Sequence, residues 1–306
     1  MLVVVAMMVG AIVPVQTAIN TRLRQSVGSP IGVTFLSFIL AVAASCVIAL
    51  FATRTLVPDL ALAASEPWWV WLGGFMGVMF IAGNIVLFPE LGAVQTTILP
   101  ILGQVLMGLL IDATGLFHYP QTPVGPLRLL GALLVLFGIA MVLEIGRGAT
   151  LRGTARGLRA WLLRGFGVLM GMGSATQTAV NGYLGKALHS PIQAGQISLA
   201  VGLILLFAMV LLIPAPRRAV ASGVAPGPWW MWLGGVLGAL FVFGGASLSP
   251  LLGAGTTVIG SLVGMIICGQ VLESLGIGGG SKGMPTLFRL AGLAIVLVGV
   301  AMVRLL

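Results

Sequence analysis

Charge is what this sequence has least of. Only 7% of its 306 residues are Asp, Glu, Lys or Arg, while 59% are hydrophobic; a soluble domain carries about a quarter charged residues. A chain so composed cannot cover a water-facing surface, which excludes a soluble globular protein and points to an integral membrane protein. Acid is scarcer still, with six carboxylates against fifteen Lys and Arg. The net charge of +9 invites a nucleic-acid reading. The arginines, however, cluster in short connections between apolar runs, the pattern that sets membrane orientation, so no nucleic-acid partner is expected. The two cysteines, Cys46 and Cys268, lie inside apolar runs without a CxxC partner and imply neither a disulfide framework nor a metal site. His118 and His189 stand alone in connections with no second ligand at helical spacing. Neither a metal nor a cofactor is therefore expected, and the bilayer itself is the first partner.

What the sequence does have is repetition. PVQTAIN at 14–20 returns as ATQTAVN at 175–181, 161 positions later. The same offset runs without a gap through both halves. Gln16, Thr17, Ala18 and Asn20 match Gln177, Thr178, Ala179 and Asn181, and Ser37 matches Ser198. PWWVWLGGFMG at 67–77 matches PWWMWLGGVLG at 228–238, and Arg128, Gly131 and Gly138 match Arg289, Gly292 and Gly299. This is a duplication. Residues 1–20 lack the basic n-region of a signal peptide, and their second copy lies deep in the chain, so they read as a retained span.

A bilayer core of roughly 30 Å needs about 20 apolar helical residues. On that measure, spans are expected near 2–20, 32–52, 69–88, 91–111 and 127–145, and again near 163–182, 192–213, 230–248, 252–272 and 287–305. The runs are continuous rather than alternating, so helices are predicted and not a barrel. The fold class is thus all-α integral membrane, with repeats at 1–145 and 162–306 joined by an Arg-rich linker at 146–161. Five spans per copy is an odd number. With a linker too polar to cross, the second copy is predicted upside down relative to the first, as in many secondary transporters. Eleven basic residues fall on one side of this arrangement and four on the other, so the linker is placed in the cytoplasm and both termini outside.

The stretches QTAINTRLRQSVGSP, PWWVWLGG, ELGAVQTTILPILGQVLMGLLID and GLFHYPQTPVGPLRLLGALLVLFGIAMVL resemble the YdcZ-like branch of the drug/metabolite transporter superfamily, here with two five-helix copies fused. The resemblance implies a ten-helix bundle in the bacterial inner membrane that moves small organic molecules. Termini in the wider superfamily usually face the cytoplasm; the charges of this chain place them outside.

Gln16 and Asn20 are four apart and share one helix face, as do Gln177 and Asn181. In hydrocarbon their amides need partners. They read either as glue between packed helices, worth around 0.6 kcal/mol each, or as the wall of a substrate pathway. A fourth-span stripe of Thr97 and Gln104, a ninth-span stripe of Thr257 and Ser261, and Asn84, Ser37 and Ser198 complete the predicted lining. The acids Glu90, Asp112 and Glu273 lie near span ends and are the candidates for protonation. No mid-span carboxylate is found, whereas small multidrug-resistance relatives place a glutamate in the middle of the first helix, where this chain has Gln16. The predicted function is a secondary transporter of small neutral or zwitterionic organic molecules, with export the expected direction and proton coupling left open, as is a homodimer. A membrane scaffold is the alternative. An intramembrane enzyme would want a nucleophile, a base or metal ligands clustered within the membrane, and the sequence offers none. GIGGGS at 276–281 lacks the GK(S/T) ending and the preceding strand of a phosphate loop. The tryptophans read as interfacial belts, and Gly73/Gly77 and Gly234/Gly238 as GxxxG pairs for close helix approach.

Overall fold

The computed structural model describes residues 2–119, 121, 125–143, 155–252, 254–277 and 286–305, with the backbone alone at 245–247, 249–252, 254–257 and 304–305. Regular structure there is entirely helical. The first copy supplies α1 (Leu2–Val27), α2 (Pro30–Thr53), the short α3 (Leu60–Ser65), α4 (Leu72–Leu91), α5 (Ala93–Thr114) and α6 (Pro126–Val142). The second supplies α7 (Gly157–Ala187), α8 (Pro191–Leu212), the short α9 (Pro214–Ala221), α10 (Gly234–Leu252), α11 (Ala254–Ser274) and α12 (Leu287–Leu305). Every expected span coincides with a helix. Helix α7 starts at Gly157, so the last residues of the segment read as linker are helical, while 146–154 lie outside the described residues.

Matching sequence produces matching boundaries. Ser29 and Ser190 each cap a helix, accepting from the backbone N–H of Gly32 and Gln193, with proline at the first helical position. That proline lacks an N–H which would be unpaired there in any case. A 3-10 turn of tryptophans at Trp68–Trp71 returns at Trp229–Trp232. Gly92, at φ 84°, turns the chain from α4 straight into α5, a conformation a Cβ would resist. The copies part company at α3 and α9. Asp59 caps α3 after a six-residue turn, whereas Pro214 starts α9 directly behind α8.

Five helical segments are long and apolar enough to cross a membrane: Leu2–Val27, Pro30–Thr53, Trp68–Leu91, Ala93–Thr114 and Pro191–Leu212. Shorter apolar stretches occupy Pro126–Val142, Gly234–Gly244, Val258–Ser274 and Leu287–Val303. Helix α7 has the length, at 31 residues, but its GSATQTAVNG stretch makes it more polar.

The copies are interleaved rather than side by side. Helix α1 packs on α11 and α10, α7 on α5 and α4, α2 on α8, and α6 on α12. Each such contact has its counterpart with the copies exchanged. Glycines set the distance. Gly10 lies against the Ser261 backbone and Gly264 against the Met7 carbonyl; their repeat equivalents Gly171 and Gly103 meet the Pro100 and Val168 carbonyls. A Cβ at Gly138 would come within 2.7 Å of the Gly292 carbonyl oxygen, and one at Gly131 within 2.8 Å of that of Gly299. Lipid tails are as apolar as leucine, so helices in a bilayer associate through such close packing and through polar contacts.

Two ion pairs recur at the repeat offset. Arg128 meets Asp112 at 3.0 Å and Arg289 meets Glu273 at 3.0 Å. The second is the more buried, its side chains 5% and 1% exposed against 13% and 18% for the first. Glu273 also accepts the Val94 N–H in the first turn of α5, at 2.9 Å, and Arg289 donates to the Val142 carbonyl at the end of α6. A carboxylate thus sits at one helix N-terminus and a cation at another's C-terminus, the arrangement the helix dipoles favour. The pair ties the second copy to the first.

Removing one partner of a buried pair leaves an uncompensated charge and costs about 3–5 kcal/mol. Glu273→Gln is therefore expected to lower the thermal unfolding midpoint of purified protein clearly more than Asp112→Asn does. Gly138→Ala is expected to destabilise by about 1–3 kcal/mol through overpacking. Gly165→Ala, where an added Cβ meets no described atom of another segment within 4 Å, should not lower the same midpoint, since alanine is the better helix former.

Candidate functional site

Eight helices line a cavity of about 90 Å³ where the two copies meet. Its polar wall holds Gln16, Thr17 and Asn20 from α1, Ser37 from α2, Asn84 from α4, Gln104 from α5, Ser174 and Gln177 from α7, and Ser198 from α8. Its apolar wall includes Phe38, Phe80, Phe241 and Met265. Among the described residues no charged side chain lines it. Most of these groups are buried, Asn20 to 1% exposure and Gln16 to 7%. Beside it lies a void of about 10 Å³ bordered by Pro14, Thr17, Asn84, Thr97 and Pro100, near the lower limit for one water.

The motif that opens each copy is seated by the other copy. Gln16 and Asn20 lie over Gly238 and Gly234 of α10, and Gln177 and Asn181 lie over Gly77 and Gly73 of α4. A Cβ at Gly238 would stand 2.7 Å from Gln16 Nε2, and one at Gly77 2.8 Å from Gln177 Nε2. The GxxxG pairs, read from sequence as helix contacts only, are thus the floors on which the amides rest. Ser37 donates to Asn20 Oδ1 at 2.9 Å, Gln177 donates to the Ser198 hydroxyl at 3.4 Å, and Gln104 donates to Ser174 at 3.3 Å. Among the described residues, Gln16 Nε2 and Asn181 Oδ1 have no hydrogen-bond partner.

Of the residues predicted from sequence, Gln16, Asn20, Ser37, Asn84, Gln104, Gln177 and Ser198 come together on this cavity. Asn181 sits against Gly73, outside the lining. Thr97 borders the smaller void and donates to the Ala93 carbonyl. Ser261 serves the Gly10 contact through its backbone, and the Thr257 side chain lies outside the described residues. The three candidate acids are elsewhere. Glu90 pairs with Arg159 at the start of α7, and Asp112 and Glu273 form the two ion pairs above.

Four features escaped the sequence reading. Thr17 within the motif and Ser174 just before its second copy were legible only as small polar residues in an apolar run. The Asp112–Arg128 and Glu273–Arg289 pairs have the same 16-residue spacing in both copies, which is a usable signal. Arg164, counted with the basic connection, is buried inside α7, where it donates to Gln95 at 3.1 Å and lies 4.8 Å from the Trp161 ring centroid. Its repeat equivalent is Val3, so nothing in the duplication announces it. His118, read as an isolated loop residue, joins Trp69 and Tyr183 in a ring cluster.

Comparison with known proteins agrees with this architecture. No curated protein matches the chain. A similar solved structure, a crystal structure of a protein, has 18% sequence identity and a TM-score of 0.56, and the match covers 98% of this chain and 97% of the other. At that identity the likeness speaks for the fold alone. The family model DMT YdcZ, described as "Putative inner membrane exporter, YdcZ", matches twice, over residues 1–141 and 162–302. Both ends of the second match lie 161 residues beyond those of the first, the offset of the QTA motif. The chain belongs to the DMT YdcZ family.

Proposed function

We propose that this protein is a secondary transporter that carries small neutral or zwitterionic organic molecules out across the bacterial inner membrane by alternating access. Its two five-helix copies, 1–145 and 162–306, lie inverted about the central cavity and together supply ten spans. The observation that carries this reading is the cavity itself, a polar but uncharged wall to which both copies contribute the same motif. Buried amides and hydroxyls in a membrane interior need a purpose or a partner. Here they converge on a shared space as well as bonding to one another.

The connections support the inversion. Arg24 donates to the Ile85 carbonyl, the Ala225 N–H to the Ser26 carbonyl, and Arg159 to Glu90, which gathers the Arg-rich connections at one end of the bundle. The Asp59 N–H donates to Gln193, Gln196 to the Leu56 carbonyl and Tyr183 to Glu66, which gathers the arginine-poor ones. On the positive-inside rule the first group faces the cytoplasm and both termini face out. None of Glu90, Asp112 and Glu273 lines the cavity. Proton coupling through them would act on the cycle by way of the helices they tie, not by direct contact with the cargo.

In proteoliposomes screened with neutral, zwitterionic and cationic metabolites, with and without a pH gradient, saturable flux is expected for an uncharged or zwitterionic class. It should fall on the order of tenfold or more in Gln16→Ala/Gln177→Ala, which removes two hydrogen-bonding groups. Folded protein without flux for any class would favour a scaffold. The orientation has its own check. A cysteine placed at Arg152, outside the described residues, should resist an impermeant thiol reagent in intact cells, and its labelling would reverse the assignment.

A further inference from the structure

Each copy carries the same three polar residues in the same spacing: Gln16, Asn20 and Ser37 in the first, Gln177, Asn181 and Ser198 in the second. Their glycine floors are equivalent too. Their hydrogen bonds are not. In the first copy the serine is bound to the asparagine, and the glutamine Nε2 is left without a partner. In the second copy the serine is bound to the glutamine, and the asparagine Oδ1 is left without one. The three polar residues and their glycine floors are the same in both copies, so the identity of these groups does not account for the difference. One chain therefore displays two arrangements of a single element.

We propose that Ser37 and Ser198 exchange partners between Gln and Asn during the conformational cycle, always in opposite sense, so that the glutamine presented to the cavity alternates between Gln16 and Gln177. A serine hydroxyl placed between two amides one helical turn apart can serve either, by a rotamer change that accompanies a shift of its helix toward one amide or the other. The exchange trades one hydrogen bond for another, so the two arrangements are close in free energy, as a two-state element requires. Asn20 and Ser37 lie on the side of the cavity toward Arg24, and Asn181 and Ser198 on the side toward Tyr183. The serine–asparagine bond ties the first two helices of a copy together toward its own end of the bundle. In the arrangement seen here it is made at the Arg24 end only. The serines are positioning residues; the ligand-facing group is the glutamine. On the transport reading above, Gln16 Nε2 now offers a donor to an uncharged cargo that bears an acceptor, such as a carbonyl oxygen or ring nitrogen, with its apolar part against Phe38, Phe80 and Phe241. The ligand class rests on that reading. The partner exchange does not.

The exchange can be tested without cargo. In a Cys46→Ala/Cys268→Ala background, Asn181→Cys/Ser198→Cys is oxidised with copper–phenanthroline, and the initial rate of disulfide formation reports how often the second copy brings these positions together. Asn20 is bonded only in the present arrangement and Gln16 would be bonded only in the opposite one. Adding Asn20→Ala should therefore speed the reaction and adding Gln16→Ala should slow it, each by about fivefold, the population change worth one net hydrogen bond. A role confined to packing would not move the two rates in opposite directions. Rates that move together or not at all overturn the exchange, as does a parent pair that never forms a disulfide. Should a variant fail to fold, the mirror pair decides. Asn20→Cys/Ser37→Cys should react faster with Asn181→Ala and slower with Gln177→Ala, and the same failures apply. Since no substrate enters the measurement, loss of flux and loss of exchange are separate results: flux without opposed rates refutes the switch alone, and opposed rates without flux refute the transport reading alone.

Discussion

Close approach of helix backbones at glycine is the constraint on which the rest of this structure depends. Without a hydrophobic force between helices in lipid, contact must come from surfaces smooth enough to meet. Gly10, Gly103, Gly171 and Gly264 let neighbouring carbonyls come to where a Cβ would stand. The same device does a second task at Gly73, Gly77, Gly234 and Gly238, where the space left by the missing side chain is filled by an amide from the opposite copy. A polar group is thereby carried into the bundle with its stem packed and its head turned toward a cavity. Packing and polarity are solved by one residue type.

The buried charges follow a different logic. Glu273 and Arg289 stand away from the cavity and are satisfied by each other and by the ends of α5 and α6. They fix helix ends against one another, which separates the groups that hold the two copies in register from the groups that face the cavity. The first copy keeps the same pair with a shorter acid, Asp112, and in a more exposed setting. The duplication has been conserved in plan and relaxed in detail.

Much of this was legible in the sequence, because the two dominant signals are one-dimensional. Each apolar run of membrane length coincides with a helix, though the short α3 and α9 were not announced by it, and the 161-residue offset pairs the runs. Polar residues in those runs were few enough that most of the ones singled out proved to share a wall. What escaped depends on which element faces which. Gly73 and Gly77 form a legitimate GxxxG pair on α4, but only the packing of α7 on α4 shows that they receive Gln177 and Asn181. Ser261 lies on the predicted stripe of α11, and the crowding at Gly10 makes that face a backbone contact. Arg164 was invisible for a further reason: its burial depends on Gln95 from the other copy, and neither residue has a repeat equivalent of its own kind.

The contact between α6 and α12 obeys the rule of an isologous dimer. Gly131 meets Gly299 and Gly138 meets Gly292, so each copy offers the other the same patch it receives. A polypeptide carrying one copy alone would bear that patch uncovered, and its natural complement would be a second molecule of itself. Fusion turns that bimolecular encounter into an intramolecular one whose effective concentration is set by the linker. It also lets the two partners diverge. A symmetric pair must accept every substitution twice, whereas here Arg164 can stand opposite Val3 and Glu90 opposite Leu251. The joined chain is free to become different in its two halves, as a symmetric dimer cannot.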